Sequence, residues 1–129
     1  MTAKTDSDLL VIDSSGWLEY ITGDSKQELF APYFADETVI CVPVVVLYEV
    51  RKVLLARASK NRADEFVATA FQLQLIPVDS AIALAAAAFS RDIKLHVADA
   101  LIYASAQDRK ATLITSDAHF QQLPGVTVL

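Results

Sequence analysis

One cysteine, three glycines and four prolines are all that this 129-residue chain contains of the residues that staple, loosen or break a fold. A lone cysteine excludes an intramolecular disulfide, and Cys41 lies inside an apolar stretch, so a zinc site would lack its usual thiolates. That usage suits a reducing cytoplasm. With so little glycine and no Ser/Gly-rich run, nothing marks a linker, a low-complexity segment or an internal repeat. The longest apolar run, Val39 to Tyr48, is broken by Pro43 and falls far short of the ~20 residues of a membrane helix. A secretory leader is not expected either. Asp6 and Asp8 stand where a basic start is required, and only four apolar residues follow.

What is present is apolar and acidic. Hydrophobic residues make up 53% of the chain, enough for one domain spanning residues 1–129 that buries roughly two-thirds of its unfolded surface. The net charge of −5 argues at first against nucleic acid, because phosphate binding is dominated by Lys and Arg. Setting four of the sixteen acids aside as metal ligands leaves twelve against eleven basic residues, so charge alone does not decide the matter.

The pattern along the chain alternates strands with helices. Leu9 to Ile12 is a short strand, and Asp13-Ser14-Ser15 favours the start of a helix. Short helices are predicted over Gly16 to Ile21 and Ser25 to Phe34, with a second strand from Thr38 to Val42 and a helix start at Pro43. Helices over Val44 to Ala58 and Asn61 to Leu73 lead to a third strand at Leu75 to Val78. Asp79 caps an alanine-rich helix, Ala81 to Phe89, and a further helix runs from Val97 to Lys110. Thr112 to Thr115 is the fourth strand, Ala118 to Leu123 a short helix, and Val126 to Leu129 the fifth strand. The expected fold is α/β: a mostly parallel central sheet of about five strands flanked by helices on both faces.

Four acids stand out. Asp13 and Asp117 each follow a predicted strand, at the edge where open α/β sheets place ligands, although either is equally served by a capping role. Glu49 shares a helix face with the apolar stripe of Val46, Val50 and Val53, and a carboxylate turned toward a core must be paired, protonated or bound to a cation. Asp99 opens a helix that is apolar on nearly every side. The macrodipole favours an acid there by only ~0.3–1 kcal/mol, a weak reason to bury a charge. Four carboxylates in a small domain suit a hard divalent cation such as Mg²⁺, and a metal-activated water suits hydrolysis of a phosphodiester.

The segments Val11-Ile12-Asp13-Ser14-Ser15, Pro43 with Tyr48-Glu49-Val50, His96-Val97-Ala98-Asp99-Ala100-Leu101-Ile102 and Leu113-Ile114-Thr115-Ser116-Asp117-Ala118-His119-Phe120 occur in an order and spacing that resemble the PIN-domain nucleases. Among these the chain is most similar to the VapC toxins of toxin–antitoxin pairs. The resemblance implies a single PIN-like domain that cleaves RNA through a metal-activated water. Asp13 and Asp99 would be the direct Mg²⁺ or Mn²⁺ ligands, with Glu49 and Asp117 completing the acidic pocket. Ser14 and Thr115 match hydroxyl positions that hold the acids or a metal-bound water. The resemblance also implies a cognate antitoxin and a homodimer. It departs at Val44-Val45-Val46-Leu47, which lacks the Ser or Thr often found near that helix start.

Other polar residues have plainer explanations. Asp79, Asp64-Glu65 and Asp108 suit caps or solvated faces, and His96 and His119 lack a second histidine at metal-ligand spacing, so capping or packing is expected of them. Trp17, Tyr20, Phe30, Tyr33 and Phe34 suit a core or a partner groove. Arg51, Lys52, Arg57, Lys60 and Arg62 form the densest basic patch, either a solvated helix face or an RNA contact. Three functions remain open: a toxin endoribonuclease, an RNA-processing nuclease outside a toxin–antitoxin pair, and a catalytically silent module that binds a basic peptide.

Overall fold

The computed structural model describes residues 8–129; Asp6, weighed above against a leader, lies outside them. Five strands form one sheet in the order β3-β2-β1-β4-β5, every neighbouring pair parallel. They are β1 (Leu10–Ile12), β2 (Ile40–Pro43), β3 (Gln74–Ile76), β4 (Thr112–Thr115) and β5 (Val126–Val128). The helices between them are α1 (Ser14–Thr22), α2 (Gln27–Phe30), α3 (Val44–Arg57), α4 (Lys60–Phe71), α5 (Ser80–Ile93) and α6 (Val97–Asp108).

Every residue of β2 is buried, as are Leu113, Ile114 and Thr115 of β4. Successive strand residues point to opposite faces, so unbroken burial means the sheet is covered on both sides, as parallel sheets require. Cys41 is one of these buried strand residues, and burial raises its thiol pKa. Phe30, Phe120, Ile12 and Ile102 are among the large side chains wholly withdrawn from solvent in this core.

Element boundaries differ from expectation where local chemistry intervenes. The helix expected over Ser25 to Phe34 divides into α2 and a 3-10 turn, Ala31–Phe34. Pro32 has no N–H for an i−4 carbonyl and its ring would crowd that carbonyl, so an α-helix cannot run through it. The second strand starts at Ile40 because Asp36 accepts the Thr38 amide at 3.0 Å and winds Glu37–Val39 into a 3-10 turn. Strand β3 stops at Ile76, ahead of Pro77, which cannot donate to a ladder. Helix α5 outruns its predicted end by four residues and terminates at Lys94 in a left-handed conformation, φ 61°. Helix α6 ends at Asp108, before Lys110 at φ 53°. The segment after Asp117 is only a 3-10 turn, Ala118–Phe120.

The expectations for Asp79 and Pro43 hold. Asp79 accepts the Ile82 amide at 2.8 Å and starts α5, and Pro43 starts α3 with no side-chain cap bond, as its Val-rich first turn implies. No helix among the described residues is long and apolar enough to cross a membrane.

The chain lays β1, β2 and β3 side by side, then places β4 on the opposite side of β1. Strand order therefore reverses between β1 and β4. Crevices at such a point, beyond the carboxyl ends of the strands, are where open α/β sheets bind ligands.

Candidate functional site

Asp13 and Asp117 emerge on the two sides of that crevice. The Asp13 amide donates to the Ile114 carbonyl at 2.9 Å, extending the β1–β4 ladder by one step and fixing where the side chain begins. Asp13 Oδ1 accepts the Ser14 amide at 2.8 Å, and Oδ2 accepts the Thr115 hydroxyl at 2.7 Å. Thr115 closes β4, is fully buried, and uses the same Oγ1 to accept the Asp117 amide at 3.0 Å. Asp117 in turn accepts the His119 amide at 2.9 Å, starting the 3-10 turn. Both acids are thus caps, as the plain explanation held, and both also face one crevice.

Glu49 reaches the same place from α3. It is half-buried beside a stripe formed by Val46, Val50 and Leu54, while Val53, expected on that stripe, is only half-buried. The Ser14 hydroxyl donates to Glu49 Oε1 at 2.5 Å. Neighbouring cations do not compete for it, since Arg51 pairs with Asp64 at 3.1 Å and Lys52 lies 5.8 Å from the centre of the Tyr48 ring. Asp99, half-buried in the first turn of α6, completes the set.

Charge from the neighbouring acids acts on Asp13 and on Asp99. Burial pushes the Asp13 carboxyl up to about 6; the Thr115 and Ser14 bonds oppose this, and the charges of Asp99 and Glu49 add to it. Asp99 is also raised, first by burial and then by Asp117 and Glu49, while His119 and His96 act in the other direction. Neighbouring carboxylate charges thus make Asp13 and Asp99 harder to ionise, which a bound cation would relieve.

A family model for the PIN domain matches residues 10–126. The chain belongs to the PIN-domain family. Solved structures agree in fold. A toxin–antitoxin complex from Klebsiella pneumoniae superposes with a TM-score of 0.79 at 19% identity, covering 92% of this chain and 96% of the other. DNA-bound VapBC from Salmonella typhimurium gives 0.75 at 13% identity, with coverage of 94% and 96%. VapC20 of Mycobacterium tuberculosis, described as a sarcin–ricin loop cleaving toxin, gives 0.66 at 18% identity, with coverage of 80% and 85%. No curated protein matches the sequence.

In this PIN domain the donor set is all oxygen, four carboxylates with two hydroxyls behind them, which suits a hard divalent cation. Among the described residues, no three His, Cys, Asp or Glu side chains converge closely enough to form a ready-made cage. The bonds explain the spacing: Asp13, Glu49 and Asp117 are each turned toward a hydroxyl, amide or imidazole partner. Mg²⁺ needs only one or two carboxylates because it retains several waters, so the residues fit such an ion without a closed cage.

The histidines depart from the capping or packing expected of them. His96 is exposed and makes no side-chain cap bond, whereas His119 Nδ1 lies 2.7 Å from Asp117 Oδ1. An Asp-x-His pair within a single turn was the available signal. The basic patch is largely engaged elsewhere. Arg51 and Lys60 both bind Asp64, and Arg62 donates to the Ile21 carbonyl. In the aromatic cluster, Trp17 meets Phe34 edge-on with centroids 4.7 Å apart, and Tyr20 stacks on Phe34 at 4.1 Å. Trp17 also lines a cavity of about 170 Å³ with Tyr20, Arg62 and Phe66, and its buried indole N–H has no hydrogen-bond partner among the described residues.

Proposed function

We propose that this PIN domain is a Mg²⁺-dependent endoribonuclease and the toxin of a type II toxin–antitoxin pair, with Mn²⁺ able to replace Mg²⁺. The observation that supports the reading is the placement of Asp13, Glu49, Asp99 and Asp117 around the β1/β4 switch point, where burial and neighbouring carboxylate charges hold Asp13 and Asp99 above the ordinary carboxylate range. A divalent cation bound there supplies a Lewis acid for the phosphodiester and a stronger nucleophile at neutral pH. Asp13 and Asp99 are the direct ligands, with Glu49 and Asp117 completing the negative pocket. Thr115 and Ser14 fix the orientation of Asp13 and Glu49 through their hydroxyls, the role that outer hydrogen bonds play around metal ligands.

RNA as substrate is supported by the likeness in fold to a toxin described as cleaving the sarcin–ricin loop, and an antitoxin partner by the likeness to toxin–antitoxin complexes. The working form is a cytoplasmic homodimer, which the mass in solution reads directly.

The test is to purify the chain and an Asp99→Asn variant free of any partner and assay total bacterial RNA with Mg²⁺, Mn²⁺ or EDTA. Metal-dependent cleavage that vanishes in Asp99→Asn supports the reading, and growth arrest on expression assigns the toxin role. Equal cleavage by both proteins, or none by a folded and metal-loaded parent, overturns it.

A further inference from the structure

Beside the PIN-type acids, His119 stands at the crevice without an assigned task. His119 is strongly exposed, its side chain 78% accessible, yet its ring is held in place: Nδ1 lies 2.7 Å from Asp117 Oδ1, which also accepts the His119 backbone amide at 2.9 Å. A carboxylate only accepts, so Nδ1 carries the proton of the ring's bond. The turn beneath it is tied by backbone bonds. Phe120, the next residue, is wholly buried and donates its amide to the Asp117 carbonyl at 3.1 Å, while Gln121 and Leu123 donate back to Ala118 and Phe120 at 3.0 and 3.1 Å.

A capped 3-10 turn needs only the backbone bond from His119 to Asp117 Oδ1. The ring's bond to that same atom is surplus to the fold, and it immobilises a carboxylate whose charge acts on Asp99. Two donors from one residue pin Oδ1 and leave Oδ2 outside both bonds. The connection continues inward, from the Asp117 amide to Thr115 Oγ1 and from that hydroxyl to Asp13 Oδ2.

From this geometry we propose that His119 is a positioning residue for the divalent cation: its Nδ1–H fixes the orientation in which the Asp117 carboxylate completes the pocket that takes the ion. The inference rests on the metal-dependent reading above and adds a residue to it. Outer-shell partners of metal ligands change ion affinity by about 10–100-fold when removed.

The experiment measures Mn²⁺ binding by titration calorimetry for the parent, His119→Ala, His119→Asn, His119→Gln and Asp99→Asn, with thermal unfolding of each without metal. An asparagine amide nitrogen takes the place of imidazole Nδ1, whereas that of glutamine takes the place of Nε2. His119→Ala and His119→Gln are therefore expected to weaken Mn²⁺ binding about 10–100-fold, and His119→Asn to recover most of it, all at a metal-free Tm close to that of the parent. Undiminished binding in His119→Ala, or equal loss in the Ala and Asn variants, overturns the role of His119 alone. A parent that does not bind Mn²⁺, or an Asp99→Asn variant that binds it as tightly as the parent, overturns the metal reading and this inference with it.

Discussion

The Thr115 hydroxyl donates to Asp13 Oδ2 at 2.7 Å and accepts from the Asp117 amide at 3.0 Å, so one buried side chain joins the acids that leave β1 and β4. Replacing it with valine keeps the shape and strands both partners. An unsatisfied buried group costs about 1–3 kcal/mol, and Thr115→Val is expected to lose stability in that range, while Thr115→Ser keeps the hydroxyl and most of the stability. Because the Thr115 bond lowers the Asp13 pKa, the valine variant also raises it further. Urea unfolding of the metal-free proteins measures the first effect, and NMR titration of the Asp13 carboxyl the second.

Asp99 is held above the usual carboxylate range by burial and by the charges of Asp117 and Glu49, so its ionised form opposes folding at neutral pH. Asp99→Asn removes that charge at nearly constant shape. The variant is expected to lose cleavage yet melt at a higher temperature than the metal-free parent, the trade between function and stability that an acidic metal pocket imposes. Excess Mg²⁺ should narrow or reverse the difference, since only the parent gains from the ion. Differential scanning calorimetry with and without Mg²⁺ provides the comparison, and a lower metal-free Tm in Asp99→Asn would contradict the account of the pocket.

The parallel sheet and the four acids were legible in the sequence because each rests on a local signal. Leu9 to Ile12 and Thr112 to Thr115 are apolar strands followed closely by an acid, and Glu49 breaks the apolar face of a helix. What the sequence concealed depends on partners distant along the chain. Ser14 meets Glu49 across 35 positions and Thr115 meets Asp13 across 102, so neither hydroxyl could be assigned from spacing alone. Helix ends were obscured for a different reason. Lys94 and Lys110 adopt left-handed conformations that glycine usually supplies, and nothing in their composition announces a break. His119 gives no histidine-pair signal, because its ring acts on a carboxylate two residues away.

Gly16 fixes how closely α1 approaches the sheet. A Cβ built there would lie 2.6 Å from Ile12 Cγ2 and 2.6 Å from Phe30 Cε1. Ile12 and Phe30 are both wholly buried, so neither can swing out into solvent. Alanine favours a helix over glycine by about 1 kcal/mol, but overpacking a tight core costs about 1–3 kcal/mol. Gly16→Ala is therefore expected to destabilise the domain despite its better helix propensity. It should also disturb the site, because α1 begins at Ser14 and the Ser14–Glu49 bond rides on its first turn. A rise in the urea midpoint would show that α1 can shift away from the sheet without loss.

The metal-free protein should be most stable on the acid side of neutrality. Asp13 has a folded pKa of about 6 against ~3.9 in an unfolded chain, so between those values the folded state holds the proton more tightly. The contribution of this group is fully present below about pH 4 and is lost as pH rises through about 6, an amount on the order of 2–3 kcal/mol. Asp64 works in the opposite sense. Its bonds to Lys60 and Arg51 lower its pKa, and what it adds is present above ~3.9 and lost only at more acid pH, outside the Asp13 window. Urea unfolding between about pH 4 and pH 7 should thus show stability falling with pH in the parent and a flatter profile in Asp13→Asn. Saturating Mn²⁺ should oppose the fall, because the ion takes the ionised carboxylates and competes with the proton. If stability instead rises across this interval in the parent and Asp13→Asn leaves it unchanged, Asp13 does not hold its proton in the folded state, and the repulsion among the four acids is already relieved without a cation.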